Sequence, residues 1–289
     1  MKRNGQKSRP LHKKILRLIL ILVSVWILLA VLLFTFQASF VYHPSARQRG
    51  TPRDFGLAYE DVWFHTSDKV ALHGWHISAH SPIATMLYCH GNGGNISYGL
   101  EHLALLNKLG LEVFTFDYRG FGKSNGTPTE EGTYRDARAA WNYLVRDAKV
   151  PGKRIVVYGR SLGGSVAAWL ASQTTPGALI VENAFISVPE AGQDIYPIFP
   201  SRLMAQFQYN TLEYIKNTHV PVLIIHAKDD RQIPFRHGKA LFSAASMPKR
   251  FLEISGGHVD AYKGSAPTYA REIKRFLNDF LETAKNNNN

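Results

Sequence analysis

The sequence predicts an α/β fold: a mainly parallel sheet of eight strands with helices on both faces, carried behind one membrane-spanning helix. Three observations predict it. Apolar, β-rich runs alternate with helix-period segments through most of the chain, the pattern of strand-helix-strand units joined by right-handed crossovers. One of those runs passes through Gly-Arg-Ser-Leu-Gly at 159–163 directly into a helical segment, the setting in which a serine is held out at a sharp strand-to-helix turn. An apolar stretch near the N-terminus, 18–36, approaches the length needed to cross the hydrocarbon of a bilayer.

From the N-terminus, the first signal is charge. The formal net charge is +12, from 34 basic and 22 acidic residues. Lys2, Arg3, Lys7, Arg9, Lys13, Lys14 and Arg17 stand before the apolar stretch with no acid among them, leaving 34 − 7 = 27 basic against 22 acidic residues in the remainder, about +5. No interleaving of basic and aromatic residues accompanies that excess, so nucleic acid is not expected as a partner and the charge is read as topological. The stretch 18–36 is broken only by Ser24, Ala30 and Thr35. A cleaved signal would have a shorter apolar region and a small-x-small site, and Phe36-Gln37-Ala38-Ser39-Phe40 is a poor one, so an uncleaved anchor is expected. The cluster on its N-terminal side outweighs Arg47, Arg49 and Arg53 beyond it. The positive-inside rule then places residues 1–17 in the cytoplasm and the rest of the chain on the extracytoplasmic side, periplasmic or lumenal.

Residues 37–56 carry Pro44 and Pro52 without sustained periodicity and read as a juxtamembrane connector, with the folded domain over 57–285 and a short polar tail at 286–289. Strands are expected at 61–65, 71–78, 84–89, 111–116, 154–158, 178–183, 220–227 and 250–254. The first two, joined by the turn-like Ser67-Asp68-Lys69, form an antiparallel hairpin at the sheet edge, and the last six read as buried. Helices are expected at 98–108, 133–147, 162–173, 236–245 and 267–285. One stretch breaks the alternation: 184–219 holds Pro189, Pro197 and Pro200 and the aromatics Phe185, Tyr196, Phe199, Phe207 and Tyr209. It has room for a crossover helix and a short lid but not a cap domain, so a fairly open site is expected below it, and its aromatics serve either the lid or the packing of the crossover. The single cysteine, Cys89, excludes an intrachain disulfide and lies in an apolar run, where it reads as a packed thiol.

A serine hydroxyl is not nucleophilic at neutral pH and needs a base, an acid to orient that base, and donors for the oxyanion. Ser161 is the nucleophile candidate. After the strand expected at 220–227 comes Lys228-Asp229-Asp230-Arg231-Gln232-Ile233-Pro234, from which Asp230 is taken as the acid, with Asp229 in the same turn and Glu182 at an earlier strand end as alternatives. After the last strand comes Ser255-Gly256-Gly257-His258, which offers His258 as the base; His90 is the alternative. The order Ser161, Asp230, His258, each just past an expected strand, is unlike that of the chymotrypsin and subtilisin folds. The loop His90-Gly91-Asn92-Gly93-Gly94-Asn95 supplies the remaining part, and the oxyanion is assigned to the backbone N–H groups of Asn92 and Leu162.

Together, HGNGGN at 90–95, DYRGFGKSNG at 117–126, GRSLGG at 159–164, HxxxDxxIP at 226–234 and GGH at 256–258 resemble the α/β-hydrolase superfamily over roughly residues 40–280. They are most similar to its serine-aminopeptidase-like, bud-emergence-related subgroup, several members of which carry one N-terminal membrane helix. The resemblance implies the α/β-hydrolase fold and a Ser-His-Asp hydrolase. Two positions depart from the pattern without touching the proposed triad: Ala227 stands where glycine usually follows the histidine, and Ser67-Asp68-Lys69 replaces an Asp-Gly turn.

Competing motifs fail on single residues. A phosphate loop ending at Gly122-Lys123-Ser124 would need glycine where Asp117 stands, and a dinucleotide fingerprint at 91–96 would need glycine at Ile96. There is no HExxH, and His73 and His76 lie in or near an edge strand where surface or pairing roles are expected, so neither metal nor cofactor is expected. Serine at the turn argues against the dehalogenase and epoxide-hydrolase chemistry of relatives that use aspartate there. The expected function is acyl transfer to water from an ester or thioester, with a lipid-derived small molecule as substrate, the bilayer as partner through the N-terminal helix, and a monomer as the unit. Amide cleavage in the manner of a serine peptidase or aminopeptidase is the alternative, and a non-catalytic docking protein on the same fold the second.

Overall fold

Residues 10–281 are described by the structure, a computed structural model. The basic residues Lys2 to Arg9 and the tail at 286–289 lie outside the described residues. The apolar stretch forms one helix, α1 (Leu11–Thr35), long and apolar enough to cross a membrane and with none of its residues buried in the protein. A short α2 (Gln37–Val41) and the two-residue strand β1 (His43–Pro44) follow. Residues 37–56 are therefore seated on the domain: Tyr42 is buried in the core, and a 3-10 turn, Pro52–Phe55, closes the segment.

The main sheet is built from β2 (Tyr59–His65), β3 (Ala71–Ile77), β4 (Ala84–Cys89), β6 (Leu111–Phe116), β7 (Ile155–Arg160), β8 (Ala178–Glu182), β9 (Val222–Ala227) and β10 (Lys249–Ile254). The short β5 (Gly93–Gly94) pairs with β1 outside it. The eight strands run in the order β10-β9-β8-β7-β4-β6-β3-β2. The expected edge hairpin is present as β2 and β3, antiparallel to each other, with β3 also antiparallel to β6, and every other pair in the sheet is parallel. β4, β7, β8 and β9 are buried along almost their whole length because helices cover both faces. β10, expected to be buried too, is only half covered: it is an edge strand, and Glu253 on it is exposed. His73, on β3, is fully buried rather than at the surface, with its Nε2 2.5 Å from Asp61 Oδ1.

Around the sheet lie α3 (Leu100–Lys108), α4 (Glu130–Asn142), α5 (Leu162–Ser172), α9 (Arg236–Ala244) and α11 (Ala266–Leu281). α4 begins three residues before the expected start, because Thr129 caps it by accepting from the Gly132 amide (3.0 Å) and Glu130 and Glu131 fill its first turn; a π turn, Tyr143–Asp147, completes it. The stretch 184–219 folds into three short helices, α6 (Val188–Ile195), α7 (Ser201–Met204) and α8 (Thr211–Lys216), the first two forming a lid beside the C-terminal ends of the strands. A short α10 (Ala261–Gly264), for which the sequence offered no signal, follows the His258 loop.

Register decides where the loops meet. Cys89 pairs with Gly159, Arg160 with Glu182, Glu182 with Ile225, and Ala227 with Ile254. The segments that leave β4, β7, β8, β9 and β10 therefore emerge side by side at one sheet edge, where crevices form in open α/β sheets.

Candidate active site

At the end of β7 the chain turns into α5 through Ser161, whose φ of 54° and ψ of −123° are strained for a residue with a side chain. Two backbone bonds hold it: the Ser161 amide donates to Glu182 O (2.9 Å), and the Gly164 amide donates to Ser161 O (2.9 Å). The turn is tight because its flanking residues lack side chains. A Cβ on Gly159 would lie 2.0 Å from Gly163 O, and one on Gly163 would lie 2.1 Å from Cys89 O. The result is a hydroxyl standing over the N-terminus of an eleven-residue helix, where the peptide dipoles favour negative charge.

The three residues expected to act together meet in space. Ser161 Oγ lies 2.9 Å from His258 Nε2, and His258 Nδ1 lies 2.6 Å from Asp230 Oδ2. With Nδ1–H donating to the carboxylate, Nε2 is left to accept from the serine hydroxyl. Asp230 is itself anchored, its Oδ1 accepting from the Gln232 (2.8 Å) and Ile233 (2.9 Å) amides. Burial alone would push its carboxyl up; the hydrogen bond and charge of His258 and those two amides outweigh it and hold the carboxyl below its ordinary value.

The alternatives have other partners. Asp229 Oδ2 accepts from the Gly256 amide (3.2 Å), bracing the loop that carries His258. Glu182 is buried and accepts from the hydroxyls of Tyr158 and Tyr269, the latter at 2.5 Å, with Arg160 Nε 3.7 Å away. His90 donates from Nδ1 to Gly91 O (2.6 Å) within its own loop, and burial lowers its pKa. His226 donates to Ile233 O (3.0 Å), joining the two ends of the turn that carries Asp230. Burial pushes the Cys89 thiol up to about 12, as suits a packed side chain.

Asn92 and Leu162 line one pocket with Ser161 and His258. Leu162 opens α5, so its amide is among the first four of a helix, which have no acceptor within it. Asn92 is held by the segment that follows α1: its Nδ2 donates to Val41 O (3.0 Å), and its carbonyl accepts from the His43 amide (2.9 Å). The pocket has a volume of ≈ 210 Å³, and beyond those groups its wall is mainly apolar, from α1, α2 and the lid, with Gln37, Ser201 and Gln232 as its other polar side chains.

Two residues at the site had no signal in the sequence. Arg160, the variable position of the serine motif, donates from its guanidinium to the carbonyls of His258 (3.2 Å) and Val259. Asn183, at φ 47°, donates from Nδ2 to the same His258 carbonyl (3.0 Å) and accepts from the Ala227 amide (2.9 Å). Both fix the backbone of the histidine loop. Only the left-handed backbone of Asn183 past a strand end would have hinted at such a role, and φ is not readable from a residue name.

A profile of the alpha/beta hydrolase fold matches residues 84–191. The chain is 37% identical over 247 residues to an uncharacterized protein of Mycobacterium tuberculosis, covering 84% of this chain and 88% of that one. It is 33% identical over 276 residues to the alpha/beta hydrolase domain-containing protein WAV2 of Arabidopsis thaliana, covering 86% and 90%, and 33% identical over 233 residues to the protein bem46 of Schizosaccharomyces pombe, covering 75% and 78%. Among solved structures, an esterase of Pyrococcus furiosus superposes with a TM-score of 0.70 over 83% of this chain and 98% of its own, at 22% identity.

Proposed function

The chain belongs to the α/β-hydrolase family, and from that premise we propose that it is a membrane-anchored serine hydrolase that cleaves acyl esters or thioesters through an acyl-enzyme. One observation carries the reading: the continuous line of hydrogen bonds from Ser161 through His258 to Asp230 at the head of an apolar pocket. In the first half-reaction Ser161 Oγ attacks the carbonyl carbon while His258 Nε2 takes its proton, and Asp230 stabilises the imidazolium. The backbone amides of Asn92 and Leu162 stabilise the oxyanion. Collapse breaks the bond to the leaving alkoxide or thiolate, which receives the proton from His258 and departs. Water then attacks the acyl-Ser161 carbonyl, gives its proton to His258 and releases the acid, with the proton returned to Ser161 Oγ. The proposed unit is a monomer, and each of these groups is supplied by the same chain.

The arrangement proposed for the whole chain is a cytoplasmic 1–17, an anchor at 18–36, a connector at 37–56 and a hydrolase domain over 57–285 exposed on the extracytoplasmic side. A fluorophosphonate probe tests the nucleophile: wild type is expected to label, and Ser161→Ala to lose all labelling while keeping its circular dichroism and melting behaviour. Folded wild type that does not label overturns the enzyme reading. A series of p-nitrophenyl esters run beside aminoacyl arylamides tests the bond cleaved, and faster turnover of the arylamides would replace the esterase reading by a peptidase one.

A further inference from the structure

The apolar helix and the lid are in contact, and the pocket lies between them. Trp26, in α1, stacks on Phe199 of the lid (5.6 Å between centroids, 14° between planes), and its indole N–H donates to Ile198 O (3.2 Å). Just over two turns further along, Gln206 Nε2 donates to Phe34 O (2.8 Å), the Gln206 amide donates to Gln37 Oε1 (2.8 Å), and Gln37 Nε2 donates to Met204 O (2.7 Å). Phe40 meets Tyr196 edge to face at 6.3 Å. Leu33, Gln37, Phe40 and Val41 form one wall of the pocket that ends at Ser161.

Depth follows from helix geometry. From Trp26 to Thr35 the helix rises about 13 Å, close to half the thickness of a hydrocarbon core. A lid that touches Trp26 therefore lies well below the outer surface of any bilayer that α1 crosses. Large apolar side chains on the lid face outward: Leu203 is 87% exposed, Ile198 70% and Ile195 53%, and the exposed Arg202 between Ile198 and Leu203 in sequence is paired with Glu190. The polar groups of α1 and α2 nearest the lid, the Trp26 indole and the Gln37 amide, are bonded to lid backbone, as groups out of reach of water must be.

We propose that the lid tip is embedded in the outer leaflet and that the pocket takes the acyl chain of a bilayer-resident lipid ester, admitted laterally from the membrane, with the membrane helix itself as a specificity-determining wall. This rests on the serine-hydrolase reading and deepens it. The products are a long-chain fatty acid, formed from acyl-Ser161 and water, and the lipid alcohol that carried it.

The test uses the full chain in phosphatidylcholine vesicles. p-Nitrophenyl palmitate is dissolved in the bilayer and p-nitrophenyl butyrate is added from water, each rate divided by the active sites counted with a fluorophosphonate. The palmitate to butyrate ratio is expected to fall about tenfold in Leu33→Trp, which fills the pocket from the helix side, and to fall also in the milder Leu33→Phe should the first variant not fold. An unchanged ratio in a folded variant overturns the acyl-wall claim. Independently, bimane attached at Ile198→Cys is expected to be quenched by lipids brominated on their acyl chains, and bimane at Lys153→Cys, exposed at the opposite end of the sheet, is not; the buried Cys89 does not compete for the label. Equal quenching at the two positions overturns the embedded lid. Failure of wild type to label or to cleave either ester is a different result: it removes the hydrolase reading, and the substrate claim with it, whatever the quenching shows.

Discussion

Arg160 occupies the position of the serine motif that a pattern leaves free, yet its guanidinium holds two carbonyls of the histidine loop and lies against the buried Glu182. It touches the loop of His258 and does not line the pocket, so in the proposed reaction it is a positioning residue. Arg160→Ala is expected to lower kcat with KM little changed, because the base is misplaced while the pocket is intact. It is also expected to destabilise the fold by about 3 kcal/mol, since a buried carboxylate loses its partner. Arg160→Lys should restore most of the stability and little of kcat, because an ammonium keeps the charge but not the forked geometry; equal rescue of both would refute the positioning role. Asp230 gives a prediction in pH. Its carboxyl titrates lower in the folded than in the unfolded chain, so as pH falls from the ordinary aspartate value toward the folded one, the unfolded state takes up the proton first. The stability contributed by this carboxylate is complete above the ordinary value and is lost as pH falls through the folded value. Melting curves of wild type and Asp230→Asn across that range should show wild type losing stability relative to the variant; parallel curves would deny the depressed value.

At the scale of elements, the most consequential segment is the one between the helix and the sheet. Composition marks 37–56 as a connector, and nothing local shows that Tyr42 enters the core, where its hydroxyl lies 2.7 Å from that of Tyr209, or that Val41 and His43 hold Asn92. These ties link the apolar N-terminal helix to the loop that we assign to the oxyanion. Tyr42→Ala is expected to cost about 3 kcal/mol in urea unfolding, in the range for truncating a buried aromatic. Asn92→Ala, which removes the tie to Val41 but keeps the backbone amide, should slow fluorophosphonate labelling several-fold with stability nearly unchanged. Labelling at the wild-type rate would mean that the connector does not position that loop. The strand and helix segments themselves were more legible, because apolar runs flanked by turn residues leave few alternatives. The boundaries moved where a cap or a sheet edge intervened, as at Thr129 and along β10.

For the whole molecule, the topology prediction is an extracytoplasmic domain on a single N-terminal helix. Protease added to cells whose outer barrier has been removed should digest the domain; its protection would reverse the orientation. The residues of the candidate triad were readable in advance because each sits just past an apolar run, in a turn whose glycines, proline and acid have few other uses, and because their order along the chain is that of one fold. The long apolar helix was readable because nineteen nearly unbroken apolar residues leave few alternatives to one continuous helix. Both depend on neighbours in the chain, and so can be read from it. The seating of the lid on Trp26, the clamp of residues 41–43 on Asn92, and the hold of Arg160 and Asn183 on the carbonyl of His258 join residues far apart in sequence through backbone groups and ring faces that every residue or many residues could offer. No pattern of residue types encodes such contacts. They exist only once strand register has brought five loops to one edge and the chain's own N-terminal apolar helix has closed the pocket beside them.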